Sequence, residues 1–292
     1  MHKAGFVNIV GNPNVGKSTL MNNLVGERIS IITSKAQTTR HRIMGIVNGE
    51  DFQIVYSDTP GVLAPHYKLQ ESMLSFSQSA LLDADILLYV TDTIESYDKH
   101  RPFLEKVKKL DIPVLVVINK IDLSNQEDLE KQVTDIQTEL PKAEIFPISA
   151  LRKFNINNLL NRINELLPES PPFFDKDALT DKPARFFITE IIREKILLYY
   201  QKEIPYACEV VVESFLDEPS IVHIEAVIVV ERETQKGILI GHGGQAIKKL
   251  GTEARRDIEA FLDKKVFLKL FVKVEKDWRN KDNKLKAFGY QE

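Results

Sequence analysis

Over the first 167 positions, apolar residues fall in short runs at residues 6–10, 52–56, 86–91, 114–118 and 144–147, separated by longer amphipathic stretches. The runs are apolar residue after residue rather than at every second position, which marks strands buried on both faces. Their alternation with helical stretches predicts an α/β domain with a doubly wound, mostly parallel sheet. Ligands of such sheets bind beyond the carboxyl ends of the strands, so chemistry is expected just after each run. The pattern breaks at Pro168, Pro171 and Pro172 and stays polar to Pro183, a linker-like composition that no helix can cross. Beyond it come an amphipathic helix (184–200), two alternating strands (208–215 and 221–231), a glycine loop, a second helix and a last strand (266–274). Val222, Ile224, Ala226, Ile228 and Val230 share one strand face, and Ile247, Leu250, Ala254, Ile258 and Phe261 form one helix stripe. The reading is a first domain over 1–170, a linker over 171–184, and an α+β domain over 185–292 with a basic tail.

Every recognisable motif of the first domain lies where a strand ends. Gly11, Asn12, Pro13, Asn14, Val15, Gly16, Lys17 and Ser18 match G-x-x-x-x-G-K-[ST] between the first strand and a helix. In such a loop the backbone N–H groups and the helix N-terminus cradle phosphates, the lysine reaches the β- and γ-phosphates, and the serine ligates Mg²⁺. Asp58, Thr59, Pro60 and Gly61 follow the second run, where Asp58 can hold Mg²⁺ through water and the Gly61 N–H can sense the γ-phosphate. Asn119, Lys120 and Asp122 end the fourth run. A carboxylate there accepts both the ring N–H and the exocyclic amine of guanine, a pair adenine lacks, with a polar turn capped by Asp122 as the minor alternative. Ser149 and Ala150 close the fifth run, and the Ala150 N–H can meet the guanine carbonyl. The base is therefore read as guanine.

These motifs stand in the order of the GTPase superfamily, whose members carry a mobile loop with a Mg²⁺-binding Thr before the Asp58 strand. Thr39, directly before Arg40, is favoured for that role, with Thr38 second. Ras-type GTPases place a water-orienting Gln after the glycine of Asp58–Gly61. Here it is Val62, which cannot hydrogen-bond water, so hydrolysis is expected to draw its electrostatics from Lys17, Asn14, Thr39 and Gly61.

Composition excludes extremes only. The chain has 292 residues, 43% hydrophobic and 28% charged, which fits a folded protein of two domains rather than a disordered one. No stretch approaches the roughly 20 apolar residues of a membrane span, and the one cysteine, Cys208, reads as a strand thiol in a reducing compartment. The formal charge of −3 argues against a nucleic-acid partner until it is counted by segment. Residues 236–286 hold 14 basic against 7 acidic side chains, a net +7 centred on the glycine loop. That loop, Ile240, Gly241, His242, Gly243 and Gly244, with Lys236, Lys248 and Lys249 near it, fits a G-x-x-G clamp on a nucleic-acid backbone. A glycine entry to a purely structural helix is the alternative. Trp278, Phe288 and Tyr290 in the tail are suited equally to stacking on bases and to packing on the domain.

The helix–strand–strand–GxxG–helix–strand order resembles a type II KH domain. Over essentially the full chain, GNPNVGKS, KAQTTRHR, DTPG, NKID, ISAL, EIIREK, EIPY and IGHGGQAIKKLG resemble the Era family of bacterial GTPases. The resemblance implies a monomeric, cytoplasmic GTPase switch that uses GTP, Mg²⁺ and, through Asn14, K⁺ at the place of an arginine finger. It further implies binding of the 3′ region of 16S rRNA by the KH domain, a role in maturation of the 30S subunit, and peripheral attachment to the inner membrane face. Family members often carry GKGG in the clamp, whereas His242 stands at the first variable position here. A constitutive RNA-binding module with a structural guanine nucleotide is the competing expectation.

Overall fold

The computed structural model describes residues 1–61, 64–94 and 101–291. The chain folds as two compact units, residues 1–65 with 73–181, and residues 66–72 with 182–292. In chain order the first region contains β1 (Lys3–Gly11), α1 (Lys17–Val25), β2 (Ile43–Asn48), β3 (Phe52–Asp58), α2 (Lys68–Leu82), β4 (Ile86–Asp92), α3 (Arg101–Val107), β5 (Val114–Asn119), α4 (Gln126–Glu139), β6 (Glu144–Pro147) and α5 (Ile156–Leu166). The strands form one sheet in the order β2-β3-β1-β4-β5-β6, parallel except for β2. The five apolar runs are the five parallel strands, and β4 is buried at every position because helices cover both faces. Val7, Ile9, Ile54, Leu88 and Val117 anchor the core on one side of the sheet, and Val10, Leu87, Val116 and Ile118 on the other. The order reverses between β1 and β4, which places the crevice at the end of β1, where the phosphate-loop motif lies.

Strand β2 is not signalled by an apolar run. It is a six-residue antiparallel edge strand whose apolar run is broken by Gly45, where a Cβ would come within 2.7 Å of Met21 and Val25. Its outer edge is not bare. Ile46 N donates to Leu179 O at 2.8 Å, Thr180 Oγ1 to Met44 O at 2.6 Å, and Met44 N to Asp181 Oδ1 at 3.0 Å. Much of the stretch read as linker is therefore hydrogen-bonded to the sheet edge, which blunts an otherwise open pairing surface.

The second region contains α6 (Ala184–Tyr199), α7 (Ile204–Ala207), β7 (Glu209–Asp217), β8 (Val222–Val230), α8 (Glu233–Ile240), α9 (Gln245–Leu262), β9 (Val266–Val274) and α10 (Asp282–Ala287). The sheet order is β7-β8-β9, with β7 antiparallel and β9 parallel to β8. Val222, Ile224, Ala226, Ile228 and Val230 turn to the core, where Leu250, Ala254 and Ile258 of α9 meet them. The charged residues of the EIIREK segment lie inside: Arg193 and Glu190 form a buried pair at 2.6 Å, and Lys195 bonds Asp257 of α9. Helix α8, which the sequence reading passed over, is only eight residues long and contains Gly237, so its period is too short to stand out.

The basic tail is folded. Trp278 is fully buried and donates from Nε1 to Ala207 O at 3.0 Å, Phe288 packs edge-on against it with centroids 5.5 Å apart, and Tyr290 donates its hydroxyl to Glu209 Oε2 at 2.6 Å. Of the two roles open to these aromatics, packing is the one adopted. Cys208 is fully buried beside them. Residues 66–72 join this unit: the Arg279 guanidinium lies 4.6 Å over the Tyr67 ring, and Lys68 pairs with Asp282 at 2.5 Å. No helix among the described residues is long and apolar enough to cross a membrane. Trp278→Ala is expected to destabilise the second unit by about 3–5 kcal/mol, the usual range for emptying a buried indole site; urea unfolding of the full chain, followed by loss of structure in that unit, checks it.

Candidate functional site

The loop from Gly11 to Ser18 leaves β1 and enters α1, so Gly16 and the helix N-terminus face one cleft of about 460 Å³. Gly16 is left-handed, with φ of +95°, and a Cβ on it would lie 2.2 Å from Asn119 Nδ2. Only glycine lets the two motifs come so close. Asn119 then uses both ends of its amide: Nδ2 donates to Val15 O at 2.8 Å, and Oδ1 accepts from Ala150 N at 2.9 Å. The Ala150 N–H, expected at the guanine carbonyl, thus serves to tie the β6 loop to the β5 loop. Ser149 Oγ donates to Asp122 Oδ1 at 2.6 Å and so orients the carboxylate read as guanine-specific.

The metal-ligating candidates converge. Ser18 Oγ donates to Asp58 Oδ2 at 2.8 Å, Thr39 Oγ1 donates to the same oxygen at 3.1 Å, and the two hydroxyls lie 2.9 Å apart. Thr38, the second candidate, instead bonds Thr33 Oγ1 at 2.7 Å and Lys35 O at 2.6 Å within its own loop. Asp58 is fully buried, and its Oδ1 has no hydrogen-bond partner among the described residues. Burial pushes its carboxyl above the usual range, against the opposing pull of the Lys17 ammonium and the hydroxyls of Ser18, Ser30 and Thr39. A buried carboxylate oxygen left over beside two hydroxyls fits a hard divalent cation, which would favour the ionised form.

Lys17 Nζ lies over its own loop, donating to Gly11 O at 3.0 Å and Asn12 O at 2.8 Å, so it points where phosphate oxygens would be caged. Lys120, left-handed with φ of +63°, spans the cleft wall: Nζ donates to Asn14 O at 2.6 Å and pairs with Asp92 Oδ2 at 2.5 Å. Pro13, Asn14, Gly16, Lys17, Ser18, Thr39, Gly61, Asn119, Lys120, Asp122 and Ala150 line the cleft together. Gly11, Asn12 and Val15 are buried behind it, and Thr59 faces away to donate to Ile9 O at 2.8 Å. Val62 lies outside the described residues. Sequence reading missed Asp92 and the apolar walls Ile94, Leu123 and Leu151. Asp92 alone carried a signal, its place at the end of a strand.

In the second unit α8 ends at Gly241, whose φ of +73° and whose Cβ position 2.6 Å from Ala246 Cβ admit no side chain. Gly243 and Gly244 are also left-handed, and His242, between Gly241 and Gly243, is exposed. Beside this turn a groove of about 320 Å³ runs between α9 and β9, floored by Ile247, Leu268 and Leu270 and rimmed by Lys248, Thr252 and Arg255. No ion pair joins Lys248 or Arg255 to another described residue, whereas Lys264, Lys269, Arg279 and Lys284 are held by Asp217, Glu225, Glu231 and Glu275. Among the described residues, Lys248 and Arg255 thus stand without an ion pair at the groove rim, as Lys236, Lys249, Lys273, Lys276 and Lys286 do elsewhere on this unit. Lys249 lies over the Tyr199 ring at 5.1 Å, and Lys236 is half-buried on α8. The groove floor was not legible as a site, because Leu268 and Leu270 look like any strand core.

Known proteins match this arrangement. The model of the 50S ribosome-binding GTPase family matches residues 6–120, and that of the KH domain matches residues 203–279. A crystal structure of Era in complex with MgGDPNP and nucleotides 1506–1542 of 16S ribosomal RNA is 38% identical, covers 100% of both chains and superposes with a TM-score of 0.95. The chain belongs to the Era family. A second member, an Aquifex aeolicus Era variant bound to GDP and AlF4−, is 39% identical over 99% of this chain and 100% of its own, again with a TM-score of 0.95. Within this Era-family chain, Thr39→Ala is expected to lower Mg²⁺-dependent affinity for a GTP analogue roughly tenfold, about one charge-assisted hydrogen bond, and Thr38→Ala to change it less than about twofold; titration of a fluorescent GTP analogue distinguishes them.

Proposed function

We propose that this chain is a GTP-hydrolysing switch that binds the 3′ region of 16S rRNA through its KH groove and acts in assembly of the 30S subunit. The observation that carries the reading is the convergence of Ser18, Thr39 and Asp58 beside Lys17 in a cleft whose far wall presents Asp122. The family match adds its weight, since a relative 38% identical over the whole chain was crystallised with a guanine nucleotide and that RNA.

In this reading Lys17 and the loop N–H groups hold the β- and γ-phosphates, Asp122 reads guanine, and Gly61 contacts the γ-phosphate. Ser18, Thr39 and Asp58 would hold Mg²⁺, which when bound supplies charge to the phosphate oxygens. Water attack then depends on position and charge rather than on a protein base. Asn14, exposed at the cleft mouth, is assigned as the K⁺ ligand. GTP orders the Thr39 and Gly61 loops, RNA is held while they are ordered, and hydrolysis releases it. The Gly241–Gly244 turn takes the RNA backbone, Lys248 and Arg255 its phosphates, and the apolar floor its bases. Cytoplasmic residence, a monomeric state and peripheral attachment to the membrane complete the proposal.

Affinity for an RNA of the 16S 3′ sequence should be at least about tenfold tighter with a non-hydrolysable GTP analogue than with GDP, the lower half of the usual coupling range. Equal affinities, measured by fluorescence anisotropy, would favour a constitutive RNA-binding module with structural nucleotide. Single-turnover hydrolysis should run roughly tenfold or more faster in KCl than in NaCl at equal ionic strength, with Asn14→Ala abolishing the difference. Equal rates in the two salts would remove the K⁺ role.

A further inference from the structure

We propose that Ser77 is a positioning residue for GTP hydrolysis, holding the peptide between Pro60 and Gly61 so that the Gly61 N–H faces the γ-phosphate. The inference rests on the GTPase reading and adds a residue that no nucleotide motif contains. Ser77 is fully buried on α2, and its Oγ donates to Pro60 O at 2.7 Å, with a longer contact of 3.4 Å to Met73 O in its own helix. In a trans peptide the N–H points opposite to the carbonyl. Pinning the Pro60 oxygen toward α2 therefore aims the Gly61 N–H away from α2.

The phosphate loop lies on that other side. Gly61 approaches it so closely that a Cβ would sit 2.7 Å from the backbone N and Cα of Pro13, and Gly61 lines the nucleotide cleft. The turn is held one residue earlier as well, because Thr59 Oγ1 donates to Ile9 O of β1 at 2.8 Å. Strand and helix thus hold two successive residues of the turn, Thr59 and Pro60, and rotation of the Pro60–Gly61 peptide is the freedom Ser77 removes. A hydrogen bond accepted by a carbonyl also polarises the peptide and strengthens its N–H as a donor.

GTP and GDP differ by the γ-phosphate alone, so a residue acting through the Gly61 N–H must change affinity for the GTP form and leave that for GDP. A residue that merely packs α2 would change both or neither. Ser77→Ala and the near-isosteric Ser77→Cys, a weak donor, are compared in the full chain using mant-GDP and mant-GMPPNP with Mg²⁺, together with kcat and KM for GTP. Ser79→Ala serves as control, since the exposed Ser79 hydroxyl, among the described residues, bonds Phe76 O of its own turn at 3.0 Å. Both Ser77 variants should lose about 5- to 10-fold in mant-GMPPNP affinity and a similar factor in kcat, with mant-GDP affinity and melting temperature unchanged. Equal losses for the two nucleotides, or no loss in either variant, would overturn the proposal. A wild-type chain without GTP hydrolysis would instead remove the reading on which it rests.

Discussion

The carboxamide of Asn119 is the tie on which the nucleotide cleft depends. It bonds Val15, 104 residues earlier, and Ala150, 31 residues later, and so fastens the loops after β1, β5 and β6 to one another. Each loop leaves the carboxyl end of a parallel strand, where the backbone has exhausted its ladder partners and needs side chains to fix it. One buried amide, with a donor and an acceptor on a rigid plane, meets that need for three loops. The glycine at position 16 follows from it, because the amide occupies the space a Cβ would take.

Around that tie the cleft divides its labour by charge. Lys120 bridges Asp92 and the Asn14 carbonyl, stiffening the cleft wall, while Asp58 stays buried with one oxygen satisfied by hydroxyls and the other without a partner among the described residues. Holding a desolvated carboxylate in this way is unfavourable for the protein alone. It is the arrangement expected of a chain whose folded form is completed by a cation and a phosphate, and it couples the loop bearing Thr39 to that occupancy.

The second unit solves a different problem. A three-stranded sheet with two principal helices buries little by itself, and the C-terminal segment adds to it by inserting Trp278 and Tyr290 against Ala207 and Glu209. Many of the lysines and arginines of that region are drawn into ion pairs with neighbouring carboxylates. Surface pairs of this kind contribute little to stability, and among the described residues they leave Lys248 and Arg255 on the groove rim without an ion-pair partner. A net charge of −3 for the chain is compatible with nucleic-acid binding because the surplus is local.

By itself the sequence determined the five parallel strands, the position of the cleft and the chemistry of its motifs, since continuous apolar runs and glycine-bounded phosphate loops are local patterns with local causes. Strand β2 was not legible although its partner β3 is next in the chain, because Gly45 interrupts its short apolar run, whereas the edge-bound stretch 178–181 and the folded tail were not legible because their partners lie 71 to 137 residues away. Residues 38 and 39 are both threonine, and the sequence favoured Thr39 only by its place before Arg40. Only the tertiary structure, by bringing Ser18 and Asp58 to one of them, decided that Thr39 joins the cleft and Thr38 braces its own loop. Hydrogen bonds between distant segments are directional and depend on three-dimensional placement, so periodicity and composition, which see only neighbours, cannot report them.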